Sequence, residues 1–257
     1  MKIYEFGKQN DKTMLMFQCA AEPGWVFIKT AEAVSEDFHV FLFISDGHDE
    51  TGTDFISVEK NAEEAVSYLR GRGIESLDLL YGASMGGSTV AHWLACQMMP
   101  VKKAVIDGGI TPYPYPKWIC RLIAIKDFLY IRLGYSSVRI MKMAMPPERW
   151  TPEGENPEEH YRKIYEFGKK HFSNKTAYNV FWSANNYSMP DPVPEIDTET
   201  EYWYGEEEKS ARKNNLAYLQ KAFPRIVPVE YKGLAHTELL MMFPGRFRRE
   251  IMRFWKG

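Results

Sequence analysis

The chain has 257 residues, is 45% hydrophobic and carries a formal net charge of −2. That length fits one large α/β domain or one core with an insertion, and the balanced charge excludes an electrostatic case for nucleic acid or an anionic membrane as partner. The three cysteines, Cys19, Cys96 and Cys120, show no C-x-x-C spacing and leave at least one unpaired, which suits a reducing compartment rather than a disulfide scaffold.

Met14-Leu15-Met16-Phe17 reads as a buried strand, and Phe38 to Ile44 as another. Val58, Ala62, Ala65, Val66 and Leu69 then recur at spacings of three and four, one face of a helix that Gly71 and Gly73 end. Leu77 to Tyr81 is the next strand. It runs into Gly82-Ala83-Ser84-Met85-Gly86-Gly87, and a helical pattern from Ser88 to Met98 follows, with Val90, Ala91, Leu94 and Met98 turned inward and Pro100 closing it. Lys103 to Asp107 is a further strand, stopped by Gly108-Gly109. Alternation of this kind predicts βαβ units: an α/β fold with a mostly parallel sheet and helices on both faces.

From Thr111 to about Glu199 the rhythm changes. Ten of the fifteen prolines fall there, in clusters that punctuate helical segments at Ile119 to Leu133, Val138 to Met145 and Glu158 to Trp182. This predicts an inserted cap of three to five helices over residues 111–199, with the core formed by 1–110 and 200–257. Alternation resumes at Glu201-Tyr202-Trp203-Tyr204. A helix carrying Leu216, Leu219 and Phe223 follows, then a strand from Ile226 to Tyr231 and a last helix from Pro244 to Trp255. The amino-terminal segment lacks the apolar run of a secretory signal, and no apolar stretch reaches the roughly eighteen residues of a membrane span, so a cytoplasmic protein is expected.

Ser84 sits where a strand turns sharply into a helix. Glycines two residues either side relieve the crowding of such a turn, which lifts the hydroxyl clear of the backbone and aims the first N–H groups of the helix at whatever it attacks. This is a nucleophile's position; an N-capping serine in a tight turn is the plainer alternative. A serine nucleophile needs a base. His39 lies inside a strand pattern, and His92 should point away from the turn. His160 and His171 fall on polar stretches that look solvated, and His48 follows a strand and could line a cleft. His236 occupies the loop after the last strand, at the same carboxyl edge as Ser84, and is the expected base. The orienting acid is sought among Glu206, Glu207 and Glu208, at the carboxyl end of the strand Tyr202 to Tyr204, with Asp107 as runner-up.

The order Ser84, acid near 208, His236 on alternating β and α elements resembles the α/β-hydrolase superfamily. The resemblance covers most of the chain, and the insertion falls where that superfamily carries its cap, after the sixth strand. Its strand-end motif of tyrosine-glycine, two residues, then an acid matches Tyr204-Gly205-Glu206-Glu207-Glu208. This selects Glu208, where the superfamily usually has aspartate, with Glu207 as fallback. The resemblance implies an oxyanion hole made by the N–H of Met85 and by that of Ala20 or Cys19. It also implies a strand-end histidine-glycine, whereas this chain reads Phe17-Gln18-Cys19-Ala20.

The expected activity is therefore that of a serine hydrolase acting on a small or medium, neutral carboxylic ester, with Ser84, His236 and Glu208 catalytic. Thioester or carbon–carbon hydrolysis and acyl transfer remain open, as does a non-catalytic small-molecule binder on the same fold. No cofactor or metal is expected: Gly82 to Gly87 is not a dinucleotide fingerprint, and His48, Asp49 and Asp54 lack a supporting Cys/His pair. The insertion, with Tyr113, Tyr115, Trp118, Tyr130, Trp150, Trp182, Tyr187, Met141, Met143 and Met145, should pack on the core and shape the substrate pocket.

Overall fold

The computed structural model describes residues 1–109 and 115–257. Among these, seven strands form one sheet in the order β1-β3-β2-β4-β5-β6-β7. The strands are β1 (Lys2–Phe6), β2 (Thr13–Phe17), β3 (His39–Ile44), β4 (Leu77–Ala83), β5 (Val101–Asp107), β6 (Glu199–Gly205) and β7 (Val227–Tyr231). All pairs are parallel except β1 with β3. The sequence pattern does not announce β1. It is an edge strand with a mostly half-buried Lys-Ile-Tyr-Glu-Phe, so no continuous apolar run marks it.

The central strands are apolar on both faces because helices cover both. On one side α2 (Val58–Gly71), α3 (Met85–Ala95) and α9 (Lys209–Ala222) pack over Leu15, Phe17, Phe41, Leu80 and Ile106. On the other, α1 (Ile28–Val34), α10 (Glu238–Met242) and α11 (Pro244–Lys256) cover Met16, Leu42, Tyr81, Val105 and Trp203. In α11 the three-and-four spacing of Phe247, Ile251 and Phe254 turns one stripe fully inward, as the pattern predicts. Phe247 lies edge-on to both Tyr81 and Trp203. Burying each such side chain contributes about 2–3 kcal/mol.

Between β5 and β6 in the chain lie α4 (Lys117–Gly134), α5 (Val138–Ala144), α6 (Pro147–Trp150), α7 (Pro157–Lys170) and α8 (Asn174–Asn186). The single stretch read from Glu158 to Trp182 is two helices. Ser173 accepts a hydrogen bond from Thr176 N and so starts a new one, a capping signal hidden inside an otherwise helical pattern. These helices sit over the carboxyl ends of the strands. Thr176 Oγ1 accepts from Phe55 N, and Ser183 Oγ accepts from Val58 N, both in the region that follows β3. Thr111, Pro112, Tyr113 and Pro114, expected to open the insertion, lie outside the described residues. Four expected packing residues face outward: Tyr115 is 48%, Trp118 65%, Tyr130 69% and Met143 75% exposed.

Three glycines allow four pieces of backbone to meet at one point: the end of β4, the start of α3, the loop after β2 and Gly109 after β5. A Cβ on Gly82 would lie 2.8 Å from Gly87 N, one on Gly86 2.6 Å from Gln18 O, and one on Gly87 2.7 Å from Gly109 Cα. Each obstacle is backbone, so no side chain can swing aside. Gly86→Ala is expected to lower unfolding free energy by about 3 kcal/mol in denaturant titration. Gly71→Ala, at the exposed end of α2 with open space around it, should be neutral or stabilising by up to about 1 kcal/mol. Equal effects at the two positions would contradict this packing account.

Candidate active site

Ser84 lies between β4 and α3 with φ 53° and ψ −110°, a conformation few side chains adopt. It is held there by the hydrogen bond from its N–H to Asp107 O, 2.7 Å, and by Ser88 N donating to Ser84 O, 3.1 Å. As the first residue of α3, Met85 has an N–H with no acceptor inside the helix. That donor is free to meet negative charge next to Ser84.

His236 follows β7. Its Nδ1 is 2.7 Å from Glu208 Oε2, and its ring lies against Gly108, where a Cβ would come 2.7 Å from Nδ1. Gly108 is the residue after Asp107, so the ring stands one residue along the chain from Ser84's backbone partner. Among the described residues no hydrogen bond joins Ser84 Oγ to His236. The turn that presents the histidine is also strained: Thr237 has φ 57°, and its hydroxyl donates to His236 O at 2.7 Å. Of the five non-glycine residues with positive φ among the described residues, Ala21, Ser84 and Thr237 border this one site. Strain of about 1–3 kcal/mol at each persists because the surroundings impose it.

Glu208 is buried in the short turn that follows β6. Oε1 accepts from Gly205 N at 3.1 Å, and Oε2 accepts from Arg212 Nε at 2.5 Å as well as facing His236. Burial opposes its ionisation, but the bond and charge of His236 and the Arg212 guanidinium outweigh that and hold the carboxyl at about 2. The other acids are engaged elsewhere. Glu207 pairs with Arg149 at 2.8 Å. Asp107 Oδ2 accepts from Tyr81 OH at 2.5 Å, and burial pushes that carboxyl up to about 7.

The loop after β2 lacks histidine-glycine, and its shape comes from side chains behind it. Gln18 Nε2 donates to Cys19 O and Glu22 O, each at 3.3 Å. Ala21, with φ 64°, donates its N–H to His48 Nε2 at 3.1 Å, and its carbonyl accepts from Tyr135 OH in the inserted helices. Among the described residues no backbone acceptor takes the N–H groups of Cys19 or Ala20, and Gln18 O of the same loop lies against the elbow, 2.6 Å from where a Cβ on Gly86 would be.

Two expectations are corrected here. His48 lines no cleft. It is fully buried, and desolvation lowers its imidazole to about 4, so it is neutral and supports Ala21 from inside. Its other nitrogen, Nδ1, lies 3.2 Å from Asp46 O. His160 is not solvated. It falls on the α7 face that carries Tyr161, Ile164 and Phe167, it is buried against Trp25, and its Nδ1 lies 2.8 Å from Glu155. A polar-looking window concealed that helical stripe. His39 opens β3 beside Glu5, and His92 meets Tyr187 OH at 3.0 Å, away from the elbow.

Sequence reasoning missed Arg212, Arg149, Gln18 and Tyr135. Arg212 had a signal, four residues after Glu208 on a helical turn. Arg149 had none. It reaches from α6 to Glu238 (2.6 Å), Glu207 and Gly233 O, clasping the His236 loop. A groove of about 660 Å³ lies at the opposite edge of the sheet, by Val101, Glu199 and Trp255, remote from this chemistry. His48, Asp49 and Asp54 do not converge as ligands: Asp49 bonds Thr51, and Asp54 bonds Ser173 and Thr176. Among the described residues no helix is long and apolar enough to cross a membrane.

No protein-family model matches the sequence, and no curated protein is significantly similar to it. Solved structures do resemble it. A candidate alpha/beta hydrolase family protein from Desulfitobacterium hafniense superposes with a TM-score of 0.75 at 16% identity, over 98% of this chain and 99% of that one. An enol-lactonase from Burkholderia xenovorans matches with a TM-score of 0.70 at 16% identity, over 100% and 96%. An esterase from Exiguobacterium antarcticum gives 0.71 at 15%, over 99% and 95%. Likeness along nearly the full length of both chains establishes that this chain has the α/β-hydrolase fold.

Proposed function

We propose that the protein is a serine hydrolase acting on a small or medium carboxylic ester through Ser84, His236 and Glu208. The observation that carries this reading is the 2.7 Å pair of His236 Nδ1 with an ionised, buried Glu208, delivered beside a strained serine by the loops of three different strands. Glu208 accepts a hydrogen bond from His236 Nδ1–H, which fixes the tautomer and leaves Nε2 as the base. Ser84 Oγ attacks the carbonyl carbon as Nε2 takes its proton. The same proton then goes to the leaving alkoxide, and water, deprotonated by Nε2, hydrolyses the acyl-enzyme. The Met85 N–H and that of Ala20 or Cys19 receive the oxyanion, each donor worth about 3–4 kcal/mol in the transition state. Solved esterases and an enol-lactonase of the same fold support the same class of chemistry.

The runner-up reading is a small-molecule binder without turnover. The missing bond between Ser84 Oγ and His236 favours it, although such bonds often form only once substrate is present. Fluorophosphonate treatment followed by mass spectrometry decides between the two. Label is expected on Ser84 of the folded chain, and nitrophenyl ester turnover should vanish in Ser84→Ala; absence of label would remove the enzyme reading.

The acids separate kinetically. Glu208→Gln is expected to cut kcat/KM by about 10²–10⁴-fold, and Glu207→Gln by less than about threefold. Asp107→Asn should cost less than about tenfold. Because its folded carboxyl is raised from 3.8 to about 7, wild type loses stability as pH rises through that window. Asp107→Asn should therefore be the more stable chain at pH 8 by about 1 kcal/mol or more, with the advantage gone below about pH 4 in urea titrations. His48→Phe withdraws the acceptor of Ala21 N–H. It should lower kcat by about tenfold or more while leaving KM within about threefold, the signature of a displaced oxyanion donor.

A further inference from the structure

The cavity between the inserted helices and the loop after β2 measures about 150 Å³. Its wall is almost wholly apolar and aromatic, with Tyr135, Met141, Met145, Trp150 and Tyr161 among the lining side chains. Among the described residues, Glu22 is the one acid in that wall, and no lysine or arginine lines it. Two of the three lining phenols are already committed: Tyr135 OH donates to Ala21 O, and Tyr161 OH donates to Met145 O at 2.5 Å. The lining His160 has its Nδ1 against Glu155.

Glu22 stands apart from these. Among the described residues its Oε2 is shut from solvent and has no hydrogen-bond partner. Only its backbone carbonyl is used, by Gln18. Desolvation pushes the carboxyl up to about 8, so the group is mostly neutral near pH 7 while the cavity is empty. An acid left unpaired in an apolar wall costs stability and supports no neighbour. Such a group makes sense where a ligand supplies the missing partner.

We propose that this cavity is a subsite for the ammonium group of a ligand, a primary or small alkylated amine, with Glu22 as counter-ion and the rings of Trp150, Tyr135 and Tyr161 around the cation. Three features select a cation over a neutral polar group. The wall holds a single carboxyl, no basic side chain competes for it, and aromatic faces attract cations when water is excluded. A hydroxyl or carbonyl would use one hydrogen bond and leave the charge capacity idle. A space of this size holds a group of about six to eight non-hydrogen atoms. Ala21 and Glu22 line the wall and Ser84 and His236 do not, so a ligand that seats its amine here and also meets Ser84 carries the amine at one end and the reacting carbonyl at the other. The substrate class is then an ester carrying a basic amine, in place of the neutral ester expected from sequence. That last step rests on the hydrolase reading; binding of the amine does not.

Titration calorimetry on the full chain carrying Ser84→Ala, at pH 8, tests it with benzylamine and its neutral isostere benzyl alcohol. Benzylamine is expected to bind at least tenfold more tightly, and adding Glu22→Gln should bring the ratio close to one. Equal affinities, no benzylamine binding, or a preference that survives Glu22→Gln would each overturn the subsite. Should the Glu22→Gln chain fail to fold, the comparison of the two ligands without it still decides. Fluorophosphonate labelling of Ser84 in the wild-type chain reads the hydrolase proposal separately. Amine preference without label keeps the subsite and removes the enzyme; label without preference does the reverse.

Discussion

Backbone runs closer together around Ser84 than any side chain would permit. The turn at Gly82, Gly86 and Gly87 lets the end of β4, the start of α3, the loop after β2 and the strand end at Gly109 share one small volume. Once these four pieces are in contact, Ser84 has little choice of conformation, and its φ of 53° follows from the pieces around it. The same contact brings the carbonyls of Phe17 and Gln18 against α3, which sets where the N–H groups of Cys19 and Ala20 can lie. A parallel sheet supplies the rest of the convergence. The loops that follow β2, β5, β6 and β7 all emerge at its carboxyl edge, so residues as far apart as Ala20, Gly108, Glu208 and His236 meet there.

The five helices between β5 and β6 do more than cover that edge. Tyr135 closes on Ala21 O, Arg149 clasps Glu238 and Glu207, and Thr176 and Ser183 accept backbone donors in the segment that follows β3. Tyr135, Thr176 and Ser183 satisfy backbone groups that would otherwise be left to water, and Arg149 ties two carboxylates of the loops after β6 and β7. The loop bearing His236 and the loop after β2 are therefore shaped from above by the inserted helices, and the latter also from below by Gln18 and His48. A turn that lacks the superfamily's histidine-glycine can hold its form because buried side chains bond its carbonyls and one N–H.

The titratable groups near the site divide by what faces them. Glu208 is buried yet ionised because His236 and Arg212 both address it. Asp107 is buried, has only the Tyr81 hydroxyl, and is pushed up to about 7. Glu22 has no partner and is pushed further still. These carboxyls differ in charge through what faces them, which is why the acid beside His236 could not be chosen on residue type.

Much of this was legible in the chain. The apolar runs and three-and-four spacings mark most strands and helices, since burial on two faces or on one stripe leaves its period in the residues. Gly82, Ser84 and Gly86 mark the elbow because that turn tolerates few alternatives, and loop position at one sheet edge singles out His236. What the sequence could not determine depends on contacts between segments remote in the chain. Nothing local assigns His48 to Ala21, sinks His160 against Trp25, brings Arg149 to Glu238, or leaves Glu22 alone in an apolar cavity. Local propensity and periodicity act within a few residues of one another. Burial, charge state and hydrogen-bond partnership are settled by whichever atoms tertiary packing places within about 3 Å, and only the folded chain decides those.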